Sequence, residues 1–573
     1  MLRSLPTESA PSRSSTLLKL SVALAGALVF AACAAPTDDV DDGASAVSAE
    51  QPLSYVGQAV TSALDAAYAD EKGITWNLAR DGKLSGDFVK QFPPRATWGK
   101  DSLAVAKRCE ATDPTCDKDF LLFTCQRDAD CNGAGSCVGL QSTIAHRGGA
   151  PKKLCVGHSE ALLDDIWSTI TSAKKTLDLS SLSPPDGRFE AAVRNAITYA
   201  SEAASPPRVR IVVGDFWSSG LARQGAVDDV LASLTRDVAS ASPIDVSVNA
   251  YSYGQASWDH AKILARDGEY ALVGGANMWD VHYLGLNPVH DLWIAVEGGP
   301  AADAQRFIDR IFQFVCVDRS PVLHLDISRQ ARRGGTGCPV SFEKAQGRVA
   351  RGDGNVPVLS VGRTGFAKNP SDDAFLAMVN AARTKIHLSQ QDIGPIHRAG
   401  LSFGGWPDAL VEALVAAMGR GVDVDFILSN TGAVPGTLGK IEALYNTYDN
   451  GWTPAAVAQK FVDVAAKRPD LLPPGTDPRA LICSKLQLMR LRSSASETWP
   501  DGNTIANHAK VIMVDDKAFY VGSQNAYAAN LTEFGYIVDN EAATRAFVDS
   551  YLGNAEKFSR RTAISGPGVA CGF

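Results

Sequence analysis

His260-Ala-Lys262-Ile-Leu-Ala-Arg-Asp267 and His508-Ala-Lys510-Val-Ile-Met-Val-Asp515 are one pattern written twice, H-x-K-x4-D. Each copy continues to a Gly fourteen residues past its His (Gly274, Gly522) and to an Asn seventeen past it (Asn277, Asn525). Seven of the eighteen residues from His to Asn are identical between the copies. Two copies with the same downstream spacing mean a duplicated fold in which each half brings half of one site.

The flanking pattern repeats as well. Before the first copy, periodicity predicts a helix over 161–173, a strand over 175–182, a helix over 190–203 and strands over 208–213 and 246–251. The motif itself reads as a strand over 260–265, a turn at Asp267-Gly268 and a return strand over 269–274, followed by a helix over 300–315. The second half repeats this order with a helix over 372–383, a strand over 385–391, a helix over 407–419, a strand over 422–428 and the hairpin 508–514 and 517–522. The copies are offset by 210 residues at the first strand and 248 at the motif, so the second half carries 38 extra residues within 430–480.

The predicted fold class is therefore α/β: two similar domains, each a mixed β-sheet flanked by helices, with the site at their interface. Residues 159–318 form the first domain and 361–573 the second, joined by a Gly- and Arg-rich linker over 319–360. Residues 55–158, a helix near 55–70 and a cysteine-rich module, are expected to pack on the first lobe.

The chain has 573 residues and a net charge of −8, with 45% hydrophobic and 21% charged residues. These are globular values, and the acidic balance gives no reason to expect a nucleic-acid partner. Residues 1–33 read as a signal peptide: Arg3, Arg13 and Lys19 precede a short apolar run, Leu20 to Ala32. That run ends Phe30-Ala31-Ala32-Cys33, the form of a lipoprotein cleavage site with Cys33 as the lipidated residue of an outer-membrane-type lipoprotein; the alternative is a plain A-x-A cleavage and a fully secreted protein. Residues 34–54, small and acidic, read as a flexible linker. Export makes disulfides possible, and ten cysteines remain beside Cys33, six of them between 109 and 155. No C-x2-C pair occurs among them, which favours bridges over zinc. Asp128 and Asp130 sit in this module without a complete calcium-loop pattern and read as solvated turn residues.

The chemistry follows from residue types. A phosphodiester anion repels a nucleophile unless positive charge stands nearby. Lys262 and Lys510 supply two ammonium groups, and Asn277 and Asn525 add amide donors. One neutral His can attack phosphorus while the other, protonated, serves the leaving alcohol and then activates water. No metal or cofactor is needed in this scheme. Each imidazole also needs a carboxylate on its other nitrogen. Asp291 and Glu533 follow their motifs closely, which places Asp291 behind His260 and Glu533 behind His508. Asp267 and Asp515 complete the motif at its turns, where a structural role fits better than a chemical one. His282, His290, His387 and His397 have no such context.

These residues resemble the phospholipase D superfamily, and within it the secreted Streptomyces-type enzymes. The likeness is carried by Asp186-Gly-Arg-Phe189, Gly274-Gly-Ala-Asn277-Met-Trp279, Pro288-Val-His-Asp291, Ser389-Gln-Gln-Asp392, Leu491 to Trp499, and Phe534-Gly-Tyr536. The resemblance implies that His260 is the nucleophile, that His508 is the general acid/base, and that Trp279 and Tyr283 line a head-group pocket. It also implies disulfides Cys109–Cys116, Cys316–Cys338 and Cys483–Cys571, leaving Cys125, Cys131, Cys137 and Cys155 to pair within the extra module. Two departures stand out. The module has no counterpart in the family pattern, and Leu438 or Gly439 stands near a place where the family has a tyrosine. The implied activity is hydrolysis of phosphatidylcholine-like lipids to phosphatidic acid and a free alcohol, with exchange to primary alcohols, by an exported monomer acting at a membrane or micelle surface. The competing classes are a nuclease of the same superfamily and a non-catalytic surface-binding protein. Phe216-Trp217 and Phe403 to Trp406 are candidate membrane-contact loops.

Overall fold

The computed structural model describes residues 51–573 except 216–223, 255–256, 319–326, 399–400 and 434–447. The signal segment, Cys33, Phe216-Trp217, Leu438 and Gly439 lie outside the described residues.

Two mixed sheets form the core. The first runs, edge to edge, Asp245–Tyr253, Arg208–Gly214, Thr176–Ser181, Ile263–Arg266, Tyr270–Gly274, Asp291–Glu297 and Val89–Phe92, with short Ser257–Trp258 beyond its outer edge. The second runs Trp76–Gly82, Val356–Arg363, Glu533–Val538, Ala518–Gly522, Val511–Val514, Lys385–Ser389, Asp423–Leu428 and Leu486–Arg490. In both, a motif hairpin is antiparallel to a central strand, which in turn pairs in parallel with the next (Thr176–Ser181 with Arg208–Gly214, Lys385–Ser389 with Asp423–Leu428). The duplication read from the motifs is thus a duplication of whole sheets. Strands buried on both faces carry continuous apolar runs, as in Val511 to Val514.

Helices Ala161–Thr171 and Gly187–Ser201 cover the outer face of the first sheet, and Pro370–Ala381 and Asp408–Gly419 that of the second. The inner faces share one core, where Ile263, Val273 and Ile294 meet Val511, Phe519, Val521 and Phe534. Between Asp423–Leu428 and Leu486–Arg490 the second lobe has helices Pro454–Lys467 and Pro478–Lys485, where the first lobe has Gln224–Leu234 between its corresponding strands.

The N-terminal segment departs from expectation. Helix Tyr55–Ala67, capped by the Ser54 hydroxyl, joins the core of the second lobe and not the first. Trp76–Gly82 then pairs with Val356–Arg363 of the second sheet, while Val89–Phe92 pairs with Asp291–Ile294 of the first. One short stretch therefore ties both lobes together. The expected linker is also more ordered than its Gly and Arg content suggested. Ile327–Arg333 pairs along Asp245–Tyr253, and its arginines explain why: Arg332 bonds Asp245 at 2.7 and 2.8 Å, and Arg329 pairs with Asp215.

Five disulfides close loops: Cys109–Cys116, Cys125–Cys137, Cys131–Cys155, Cys316–Cys338 and Cys483–Cys571. The second and third staple the hairpin Ser136–Leu140 and Lys152–Val156. Asp128 and Asp130 are turn caps there. Asp128 accepts the Cys137 N–H at 2.8 Å, and Asp130 those of Gln126 and Arg127 at 2.8 and 3.1 Å. No helix among the described residues is long and apolar enough to cross a membrane.

Candidate active site

Each motif splits into a chemical end and a structural end. His260 and Lys262 lie just ahead of strand Ile263–Arg266, in extended chain, and His508 and Lys510 hold the same position before Val511–Val514. All four side chains are buried. Asp267 and Asp515 sit at the opposite ends of those strands, roughly 17 Å from the lysines and roughly 23 Å from the histidines at the usual rise per residue. Both have positive φ, 53° and 52°, in tight hairpin turns of the kind that favour Asp-Gly. The Asp267 carboxylate accepts the N–H groups of Lys174, Lys175 and Thr176 at 2.8, 2.8 and 3.0 Å. Asp515 does the same for Arg383, Thr384 and Lys385 at 2.7, 2.9 and 2.7 Å. Both therefore lash a hairpin to the start of a central strand and stand outside the site.

The carboxylates pair across the lobes, opposite to the expected assignment. His260 Nδ1 lies 2.9 Å from Glu533, and His508 Nδ1 lies 2.6 Å from Asp291. The backbone explains the crossing. Asp259 forms a parallel bridge with Thr532, and His290 with Asn507. The His260 N–H bonds Thr532 O at 2.9 Å, and the His508 N–H bonds His290 O at 2.8 Å. Each motif thus runs beside the carboxylate segment of the other lobe. Each carboxylate is braced by its own lobe. Glu533 accepts Ser523 Oγ at 2.6 Å and faces Arg363 at 3.6 Å, and Asp291 accepts the Tyr283 hydroxyl at 3.0 Å. Gly275 occupies the position equivalent to Ser523, and a Cβ there would stand 2.3 Å from the Asp291 carboxylate. The shorter Asp therefore goes with the missing side chain.

The lysines point back over their own histidines, Lys262 Nζ bonding His260 O at 2.6 Å and Lys510 Nζ bonding His508 O. Asn277 is buried with both amide atoms unpartnered, and Asn525 with its Oδ1 unpartnered. Buried amides without partners are costly unless something else meets them, and a phosphate oxygen can accept from the free Asn277 Nδ2–H, whereas Asn525 Nδ2 already donates to the Tyr527 hydroxyl at 2.9 Å.

Of the two aromatic candidates, only Trp279 is partly exposed. Its Nε1 bonds Ser183 Oγ at 2.6 Å, and its ring meets His282 at 4.7 Å. Tyr283 is fully buried and props Asp291 instead. A tyrosine that the sequence reading passed over, Tyr448, stands beside the site. Its ring stands edge-on to His508 at 4.8 Å, and its hydroxyl lies 2.5 Å from His282 Nδ1. His282, which had seemed without context, therefore belongs to the site. His290 belongs to its frame, its ring tilted against Trp98 at 4.5 Å, and His387 lies elsewhere, on Glu556. Asp280, beside Trp279, is gripped by Arg188 at 2.7 and 2.8 Å and by Arg108 of the cysteine-rich region at 2.9 Å.

No protein-family model matches the chain. The chain is 28% identical over 459 residues to the phospholipase D of Streptomyces antibioticus, a match that covers 71% of this chain and 78% of that one. The chain is thus similar to an enzyme of the phospholipase D superfamily over most of its length. With both half-sites intact it is an enzyme of the phosphodiesterase class. Solved structures with similar folds include a phosphatidylserine synthase from Haemophilus influenzae (13% identity, TM-score 0.46, covering 74% of this chain and 88% of that one). Another is the phospholipase D family member Nuc from Salmonella typhimurium (17% identity, TM-score 0.18, covering 32% and 86%).

The electrostatics of this phospholipase D-type site are unequal in its two halves. Burial lowers His260 to about 4 against the opposing pull of Glu533, so its imidazole is neutral at pH 7. Burial and Lys510 drive His508 well below its ordinary value. Burial pushes Glu533 upward, but His260, Arg363 and Lys262 outweigh it and hold the carboxyl low. Among the described residues no arginine pairs with Asp291, and burial raises it to about 7 against Lys510 and the Leu292 N–H. Burial also lowers Lys262 to about 8, opposed by Glu533, Asp259 and Asp291.

Proposed function

We propose that this protein is an exported phospholipase D that hydrolyses phosphatidylcholine-like glycerophospholipids to phosphatidic acid and the free head-group alcohol. The observation that carries the reading is the pair of crossed histidine–carboxylate contacts set among two buried lysines and Asn277, whose amide N–H groups are unpartnered. His260 is the nucleophile. It is neutral, its Nδ1–H is held by Glu533, and its Nε2 carries no hydrogen bond among the described residues. Nε2 attacks phosphorus, and the bond from phosphorus to the head-group oxygen breaks. The proton that His508 shares with Asp291 passes through His508 Nε2 to that oxygen. Water, or a primary alcohol, then passes a proton to His508 and attacks phosphorus, and the phosphorus–nitrogen bond breaks.

The inequality of the two halves supports these roles. A phosphorylated imidazole that keeps its Nδ1 proton is cationic, and an ionised Glu533 stabilises it. His508 must gain and lose a proton in each turnover, and Asp291, near 7, suits a partner that shares it. The leaving group departs on the His508 side, where Tyr448, His282 and Trp279 offer aromatic faces to a quaternary ammonium. Val281 and Leu286 flank this turn, 49% and 57% exposed, as a lipid-facing rim would require. Five disulfides support an oxidising compartment.

The test is choline release from phosphatidylcholine with a chelator present, together with formation of phosphatidylethanol when ethanol is added. Both are expected. Loss of activity on chelation, absence of alcohol exchange, or DNA cleavage outpacing lipid turnover would defeat the reading.

A further inference from the structure

A cavity of about 500 Å³ lies in the second lobe between helices Pro370–Ala381 and Asp408–Gly419 and the loop Gln524–Asn530. Its walls are mainly apolar, with Phe375, Leu376, Leu410 and Ala526. Its polar groups are largely committed to one another. Arg363 donates to Asp372 at 3.0 Å and to Leu531 O at 3.1 Å, and Gln524 donates to Asp372 at 2.6 Å. Little charge is left for a polar ligand, and the volume suits a small-molecule or chain-like apolar one.

We propose that this cavity holds one fatty-acyl chain of the substrate, on the part of the lipid that stays on the enzyme after the head group leaves. The inference rests on the phospholipase reading. Two contacts tie the cavity to the half of the site that keeps the phosphatidyl group. Asn525, a cavity wall, is also the asparagine of the second motif, with its Oδ1 unpartnered. Arg363, another wall, faces Glu533 at 3.6 Å, and Glu533 holds His260. The head group leaves on the other side, by His508 and Tyr448. A chain held here anchors the lipid by a part remote from the reacting bond, so its binding energy can position the phosphate.

The experiment uses dibutyryl-, dihexanoyl- and dioctanoyl-phosphatidylcholine below their micelle concentrations, so that chains come from water and not from a lipid phase. In the native protein kcat/KM should climb with chain length, by up to roughly fourfold for each methylene that becomes buried. Ala409→Trp and Ala529→Trp, which fill the cavity from its rim, should flatten the series while leaving kcat/KM for the dibutyryl lipid within twofold. An unchanged slope in both variants overturns the inference, as does an equal loss at every chain length. Binding of a free fatty acid to the cavity without chain-length dependence in turnover also overturns it, by giving the cavity to a separate ligand. Failure of the native protein to turn over even the dibutyryl lipid would reject the phospholipase reading itself. Turnover without chain-length dependence rejects the acyl site alone.

Discussion

Each imidazole of the site depends on a carboxylate from the other half of the chain, and the two dependencies separate in experiment. Glu533→Gln should disturb the Nδ1-bound proton of His260 and leave that of His508 in place. Asp291→Asn should do the reverse. Nitrogen-15 histidine spectra, assigned with single histidine variants, read this directly, and the opposite pattern would sink the crossed pairing. Each variant should lower kcat/KM by roughly 10² to 10⁴, the usual scale for losing the group that orients a catalytic imidazole. Lys262 sets a second test. Its ammonium, lowered to about 8 by burial, is present below that pH and lost above it. The pH profile of kcat/KM should therefore fall as pH rises through about 8. Glu533 is the largest influence holding that pKa up, so Glu533→Gln should move the falling limb to lower pH. A limb that stays in place would remove Lys262 from the charge balance.

At the level of elements, the last residue of each motif holds the hairpin and does no chemistry. Asp267→Asn keeps a residue that tolerates positive φ but weakens the acceptor for three backbone N–H groups. It should cost roughly 1–3 kcal/mol of stability, since buried donors lose a charged partner. Asp515→Asn should cost less, because Asp515 is only partly buried while Asp267 is 2% exposed. Denaturant titration gives both values, and kcat/KM should stay within about threefold; a hundredfold loss in a folded protein would make these aspartates part of the chemistry. The hairpins were legible in the sequence because motif spacing and the Asp267-Gly268 turn are local signals. The partners of the histidines were not. Distance along the chain put Asp291 nearest His260, whereas bridges from Asp259 to Thr532 and from His290 to Asn507 decide the pairing. Tyr448 was hidden for a related reason. It follows the start of the extra residues of the second half, so counting on from Asn430 stops short of it. The strands Trp76–Gly82 and Val89–Phe92 gave no repeat to read, because each completes a different sheet.

At the level of the whole molecule, the lobes are not independent domains. Their sheets share an inner core, and the N-terminal segment supplies an edge strand to each. Phe307 of the first lobe packs on Phe534 of the second with ring centroids 4.9 Å apart, both buried, and Phe534 adjoins Glu533. Duplicated proteins with small interfaces unfold lobe by lobe. Here neither sheet keeps its buried face if the other melts, and each half-site loses its carboxylate in the same event. Calorimetry should therefore give a single transition, with calorimetric and van't Hoff enthalpies in agreement. Phe307→Ala should cost about 3–5 kcal/mol, the range for truncating a buried phenylalanine. It should move that one transition as a whole. Two resolved transitions in Phe307→Ala, one near the native temperature, would mean that the second lobe stands without the first. Cooperativity of this kind ties activity to global stability: the crossed pairs can exist only in molecules where both sheets are formed.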